Sequence, residues 1–390
     1  MQRVTSRFEE LASVAGPDIV SERDGRLVTS PRTTAEVAAI LRYTNANGAG
    51  VEIAGAGTKR GWAGAVRGDM VLDMRRLAGV CEHSWQDLTA TIRAGTTWAE
   101  MQRALAEHRQ MVALDPLWAD RATVGGVIAT NDSGALRFRY GGLRDLVIGM
   151  TMVLADGTIS RSGGKVVKNV AGYDLHKLMI GAFGTLAVVT EVTFRLHAIP
   201  RNTRVWSFGA ADADTCGEVL MKVLDSQLSV QAMQLRASAA GFSLDVELAS
   251  IDEVLREQWS LLNSCAGGEG AISGDAFGPR ERLFAGDGIV VKVTMLPSAI
   301  ARSSAEIVRM GGEAVTQAGG IMFARLADAC AVGRLREFVA AEGEGAVTVL
   351  RGEDGVGVLP SAGNSAVVVR EIKRRFDGNG ILNPGVVVGG

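Results

Sequence analysis

The first clear hydrophobic pattern is the short extended run "RLVTSP" at 26–31, which Pro31 ends. The next segment, "TTAEVAAILRYTNANG" at 33–48, changes period. Val37, Ile40, Leu41 and Thr44 fall on one helical face, Thr33 and Glu36 make a capping-box pattern, and Asn47-Gly48 stops the helix. "VEIA" at 51–54 is again strand-like, so 26–54 predicts a strand–helix–strand unit. The run "IAGAGTKRGWAG" at 53–64 follows, with Gly55, Gly57, Gly61 and Gly64 around a Lys-Arg pair.

The pattern beyond that loop decides what it is not. A dinucleotide fingerprint needs a helix directly after its glycines, because the helix N-terminus holds the pyrophosphate. Here "TKRGWAGAVRGD" is too rich in glycine for a helix, and "MVLDM" at 70–74 reads as another strand. A nucleoside-triphosphate loop needs Gly-Lys-Ser/Thr, whereas Thr58-Lys59 has the wrong order and spacing. The local sequence leaves two readings: a nest of backbone N–H groups for an anion, or a plain glycine-rich turn.

Strand and helix signals go on alternating. Residues 88–116 predict a strand, a turn at Gly95, a helix from Thr97 to His108, and a short strand ending at Pro116. "ATVGGVIATNDSG" at 122–134 is a second glycine cluster, whose small residues permit either tight packing or close approach of a flat ligand. Residues 146–164 predict a hairpin turning at Asp156-Gly157. A helix is expected over 171–184 and a long strand over 185–196, whereas "VCEHSW" around Cys81 and His83 reads as a surface connection. After Pro200 the order suggests two tandem β-α-β-β-α-β halves, the first with an uncertain last strand. A mixed α+β domain with an antiparallel sheet is therefore expected at 201–360. The tail, 367–385, predicts a basic helix ending at "DGNG", then "ILNPG".

Composition narrows the chemistry. A net charge of −2 and 5% aromatic residues exclude a basic, base-stacking nucleic-acid surface. The four cysteines are far apart and none forms C-x-x-C, so no iron–sulfur or zinc site is readable. They are expected to be reduced, buried thiols of a cytoplasmic protein. No apolar run reaches the roughly 18 residues a membrane span needs, and the N-terminus lacks a signal-peptide pattern. His83, His108, His176 and His197 are the only histidines, and His176 is expected on a helix surface.

In their order, "IAGAGT", "AGTTWAEM", "LDP", "ATVGGVIATNDSG", "RYGGLRDLVIGMTMVLADGTI", "KNVAGYDLHKLMIGAFGTLAVVTEVTFRL" and "DGNGILNPG" resemble the FAD-binding flavoproteins of the vanillyl-alcohol oxidase type. The resemblance runs over 26–200 and returns at 371–385, and within that group it points to the glycolate oxidase FAD-binding subunits. It implies an α+β fold: a two-subdomain FAD-binding module at 1–200, rejoined by 361–390, and a cap domain of two ferredoxin-like halves at 201–360. It implies FAD held by Gly55, Ala56, Gly57, Thr58, Lys59, Arg60, Gly61 and Trp62. Backbone N–H groups do most of the work, and Lys59 and Arg60 are read as solvated cations. A second set would follow the flavin's long axis: Pro116, Leu117, Thr123, Gly125, Gly126, Ser133, Gly134, Arg137 and Tyr140. Val188 and Val189 are placed near the adenine or ribityl part, and Asn383 near the ring.

Two departures stand out from that pattern. Phe183 occupies a position where the family usually has Glu, and the late histidine-rich metal and substrate motif of the larger relatives is missing. No His or Cys lies in 53–64 or 116–140, so dissociable rather than covalent FAD is expected. The implied activity is oxidation of glycolate or a related 2-hydroxy acid. The implied partners are a larger FAD-binding catalytic-type subunit and an iron–sulfur subunit, through which the chain could sit peripherally at the inner membrane. A stand-alone 2-hydroxy-acid dehydrogenase and a non-catalytic assembly subunit are the alternatives. No catalytic residue is assigned. Arg236, Lys292 and Arg325, on alternating strand positions, are cations that either face the flavin or face solvent.

Overall fold

The unit expected at 26–54 forms as strand Arg26–Thr29, helix Thr34–Ala46 and strand Val51–Ala54. In this computed structural model, which describes residues 2–165, 173–272, 277–343, 345–352 and 365–386, local chemistry sets the helix start. The Thr33 hydroxyl accepts from the Glu36 N–H at 3.2 Å, and the Glu36 carboxylate accepts from the Thr33 N–H at 3.3 Å. Such a cap contributes about 1 kcal/mol. Val37, Ile40 and Leu41 are fully buried against Val51 and Leu72.

Strand Met70–Asp73 slots between the two strands and runs parallel to both, with Met70 opposite Leu27 on one side and Val51 on the other. Val20–Arg23 adds an antiparallel edge. The glycine loop thus leaves the C-terminal end of a parallel strand, where α/β sheets place ligands.

A second, five-stranded antiparallel sheet has the order 80–84, 89–93, 188–195, 147–153, 159–163. "VCEHS" is its edge strand rather than a connection; its polar side chains gave no alternation to read because this edge is half-exposed. Two of the four thiols, Cys81 and Cys330, are exposed, against the expectation of buried ones. The hairpin turns at Gly157, in a left-handed conformation with φ +83°.

The helix expected at 171–184 is reduced to His176–Met179; residues 171–172 lie outside the described segment. Gly181, Phe183 and Gly184 all have positive φ, which no right-handed helix permits. His176 is not on the surface: it is 2% exposed, its Nδ1 lies 3.0 Å from the Ser162 hydroxyl, and its N–H donates to that oxygen at 3.1 Å. Burial pushes its pKa below the ordinary 6.5; Asp174 opposes this and Lys177 adds to it. The unfolded chain therefore takes up this proton first as pH falls. Its contribution to stability is complete above about pH 6.5 and is lost as pH drops through the lowered folded value. His176→Gln should flatten the acid limb of a urea-midpoint-against-pH profile, leaving the share carried by His197, whose pKa burial and Arg195 also lower. A limb of unchanged slope would refute the assignment.

The chain divides into two compact units. One comprises Met1–Asp132, Gly142–Ile199 and Ser361–Gly390; the other comprises Ser133–Gly141 and Pro200–Pro360. The second is built on one antiparallel eight-stranded sheet of order 271–272, 202–210, 241–250, 230–238, 313–317, 321–326, 289–295, 345–351. Each half runs fourth, first, third, second, and 230–238 joins 313–317 at the seam. Val291, Val293, Met322 and Ala324 point to the face packed by helices 213–224, 252–266, 300–309 and 329–341. Alternate residues, among them Arg236, Asp245, Lys292, Gln317 and Arg325, stand on the opposite face. Among the described residues no helix is long and apolar enough to cross a membrane.

Candidate functional site

Past Ala54 the chain cannot continue as strand, because Gly57 and Gly61 take left-handed conformations at φ +72° and +92°. A Cβ at either would meet open space rather than protein. Among the described residues, no protein group accepts from the N–H of Ala56, Gly57 or Thr58. Three successive unpaired donors on a turn of this kind form an anion nest. They line an open cleft of about 1110 Å³, a figure that includes solvent space at its mouth.

The opposite wall is the start of helix Val124–Thr130, whose Thr123 caps it by accepting from the Gly126 N–H at 3.3 Å. The walls meet closely: a Cβ on Gly55 would lie 2.2 Å from the Thr123 hydroxyl. Gly125 packs against Ala94 in the same way, at 3.1 Å. Small residues thus keep the cleft slot-shaped. A flat ligand with an anionic group fits this donor set and shape.

The floor is closed by the returning tail. The Asn383 side chain accepts from the Ile53 N–H at 2.7 Å and donates to the Phe183 carbonyl at 2.7 Å. Its own N–H donates to the Val51 carbonyl at 2.9 Å. Asn383 is left-handed (φ +43°), as is Phe183 (φ +51°), and a Cβ at Gly184 would lie 2.8 Å from the Asn383 amide. The lining residues Phe183, Gly184 and Ala182 were not read from the sequence. The signal that could have found them is "GAFG", where two glycines bracket the departure from the family pattern.

The expected site residues divide between the cleft and other places. Of the loop, 55–61 line the cleft, but Trp62 is 3% exposed and packed beneath it. Lys59 is not a solvated cation: its side chain is 4% exposed and pairs with Asp132 at 3.3 Å. The loop turns it inward, and a fully buried carboxylate compensates its charge. Arg60 is largely exposed and pairs with Glu52, a buried carboxylate on the cleft wall that Arg26 also meets at 2.9 Å. Thr123, Gly125, Gly126, Val189 and Asn383 line the cleft. Pro116 and Leu117 are buried and do not line it, and Val188 lies in the core shared by the four- and five-stranded sheets of the first unit.

Ser133, Gly134, Arg137 and Tyr140 belong to the second unit. There the Ser133 carbonyl accepts from the buried Arg280 and from Gln317 at 3.2 Å, and the Tyr140 hydroxyl donates to Gln231 at 2.6 Å. Arg137 is exposed. Of the three candidate cations, Arg236 is a bidentate partner of the buried Asp245 at 2.6 and 2.8 Å, Arg325 pairs with Glu313, and Lys292 is half-buried on the same face of the sheet. Among the described residues no three His, Cys, Asp or Glu side chains converge to hold a metal.

Residues 26–163 match the family described as "FAD binding domain". The chain is 31% identical over 238 residues to glycolate oxidase subunit GlcD of Bacillus subtilis (strain 168), covering 56% of this chain and 51% of that one. It is 34% identical over 240 residues to a D-lactate dehydrogenase of Archaeoglobus fulgidus, covering 60% and 53%. It is 32% identical over 225 residues to a D-2-hydroxyglutarate dehydrogenase of Xanthomonas citri pv. viticola, covering 57% and 46%. The chain thus spans about half the length of the curated relatives it matches. Among solved structures, p-cresol methylhydroxylase with substrate bound superposes with a TM-score of 0.75 at 16% identity, covering 99% of this chain and 97% of that one. Residues 26–163 therefore match an FAD-binding domain, and the chain shares the fold of p-cresol methylhydroxylase.

Proposed function

We propose that the protein is the FAD-binding subunit of a multi-subunit glycolate oxidase, oxidising glycolate or a related 2-hydroxy acid to the 2-oxo acid. The observation that carries this reading is the cleft, an anion nest facing a wall of small residues, set in a domain whose curated relatives are named for 2-hydroxy-acid substrates. Ala56, Gly57 and Thr58 would hold the pyrophosphate by their N–H groups, without a cation for each charge. Thr123, Gly125 and Gly126 would line the flavin's length, and Asn383 would fix the backbone of Ile53 and Phe183 beside it. Bound FAD supplies the acceptor for the two electrons that leave the CH–OH group. A larger FAD-binding subunit and an iron–sulfur subunit would carry electrons onward, in the cytoplasm or at the inner face of a membrane. The likeness to a relative named as a subunit supports that arrangement.

The test is spectroscopic. The chain is purified alone and with co-expressed partner subunits, and glycolate or D-lactate is added without oxygen. A yellow protein that bleaches only in the complex is the expected result. Bleaching of the isolated chain would favour a stand-alone dehydrogenase. A colourless chain that takes up no added FAD would overturn the reading in favour of a non-catalytic assembly subunit.

A further inference from the structure

Lys59 is placed where a cation is costly. Its side chain is 4% exposed, and its ammonium lies 5.8 Å from the centre of the Trp62 ring and 5.6 Å from that of Trp118. It pairs with Asp132 Oδ2 at 3.3 Å and donates to the Leu117 carbonyl at 3.3 Å. The same Asp132 oxygen accepts from the Leu117 N–H at 2.8 Å. A well-packed apolar pair in this position would serve stability as well or better, so stability alone does not account for the charges.

What the pair joins is informative. Lys59 directly follows the three free donors at 56–58. Leu117 and Asp132 bracket the segment that supplies the other wall. From Trp118, whose carbonyl accepts from Arg121 and Ala122 at 2.9 and 2.7 Å, the chain leads straight into Thr123. At the far end Asn131 terminates helix Val124–Thr130 in a left-handed conformation, and Asp132 is the next residue. One buried cation therefore ties the nest to both ends of the facing wall, flanked by two indoles that face a cation favourably.

We propose that Lys59 is a positioning residue for the cofactor: held by Asp132, Leu117, Trp62 and Trp118, it sets the nest at 56–58 relative to the wall at 123–126. It does so without itself neutralising phosphate, because its charge is already matched by Asp132. The proposal rests on the reading of the cleft as an FAD site.

The test compares wild type, Lys59→Met, Lys59→Met/Asp132→Asn, Lys59→Arg and Trp118→Leu. FAD dissociation constants are measured by flavin fluorescence at two salt concentrations, and the melting of each apo-protein is recorded. Lys59→Met leaves a buried carboxylate uncompensated and can fail to fold. The double variant removes both charges, and Trp118→Leu keeps the ion pair. The double variant is expected to melt near wild type yet bind FAD at least tenfold more weakly (about 1.4 kcal/mol), with the salt dependence unchanged. Lys59→Arg should recover most of that loss. Wild-type affinity in the double variant, or in Trp118→Leu should the double variant not fold, would overturn the proposal while leaving the FAD site standing. So would a shallower salt dependence, or affinities that merely track apo-protein melting. A wild-type protein that binds no FAD would remove the site itself, and that result needs no variant.

Discussion

Gly57→Val is expected to weaken FAD binding by about 100-fold, roughly 3 kcal/mol, with only a modest change in the melting of the apo-protein. A Cβ added at Gly57 meets no protein atom within 4 Å, so a clash of the β-carbon with the protein is not the cause. The cause is the backbone. At φ +72° a β-branched residue is strained by about 1–2 kcal/mol, and the loop can relieve that strain by turning Gly57 toward negative φ. Doing so turns the N–H groups of Ala56, Gly57 and Thr58 away from a common point. Each such donor to a charged group is worth about 1.5–3 kcal/mol, so losing part of the nest suffices for the predicted loss. Flavin fluorescence titration checks it, with Gly57→Ala as a milder companion. Unchanged affinity in the valine variant would show that the pyrophosphate is not held here.

Asn383→Ala is expected to cost about 3 kcal/mol of stability and to weaken FAD binding along with it. The side chain satisfies the Ile53 N–H and the Phe183 carbonyl at once, and alanine leaves both without their partner at the floor of the cleft. Alanine must also hold φ +43°, which asparagine tolerates better. Asn383→Asp sharpens the comparison: it keeps an acceptor for Ile53 but sets a carboxylate against the Phe183 carbonyl. Urea unfolding of the three proteins should rank wild type first and both variants well below it. A loss under about 0.5 kcal/mol would make the residue an ordinary turn asparagine.

Much of the scaffold is legible because it depends on neighbours in the chain. The helix at 34–46 follows from Thr33, Glu36 and an apolar face within one segment, and the hairpin from Asp156-Gly157. Reading failed where the deciding partner was remote or the pattern weak. "GYDLHKLMIGAFG" has helical spacing, yet Gly181, Phe183 and Gly184 turn the other way because the Phe183 N–H and carbonyl are claimed by Ala129 and Asn383. "CEHS" has no alternation, since its strand is an edge. Lys59 beside Arg60 looks like a solvated pair, and nothing near it in sequence announces Asp132, Leu117 or Trp118.

The sequence by itself determined most of the order of strands and helices, the FAD-binding domain at 26–163, and a glycine loop fit for an anion, since capping, periodicity and left-handed turns are local properties of a chain. Only the tertiary structure decided which groups meet. It showed that Asn383 reaches Ile53 across 330 positions, and that Ser133–Gly141 joins the second unit. It also showed that of two adjacent cations one is buried and matched while the other is largely exposed. Burial and charge compensation are set by contacts between distant segments, and those exist only once the chain has folded.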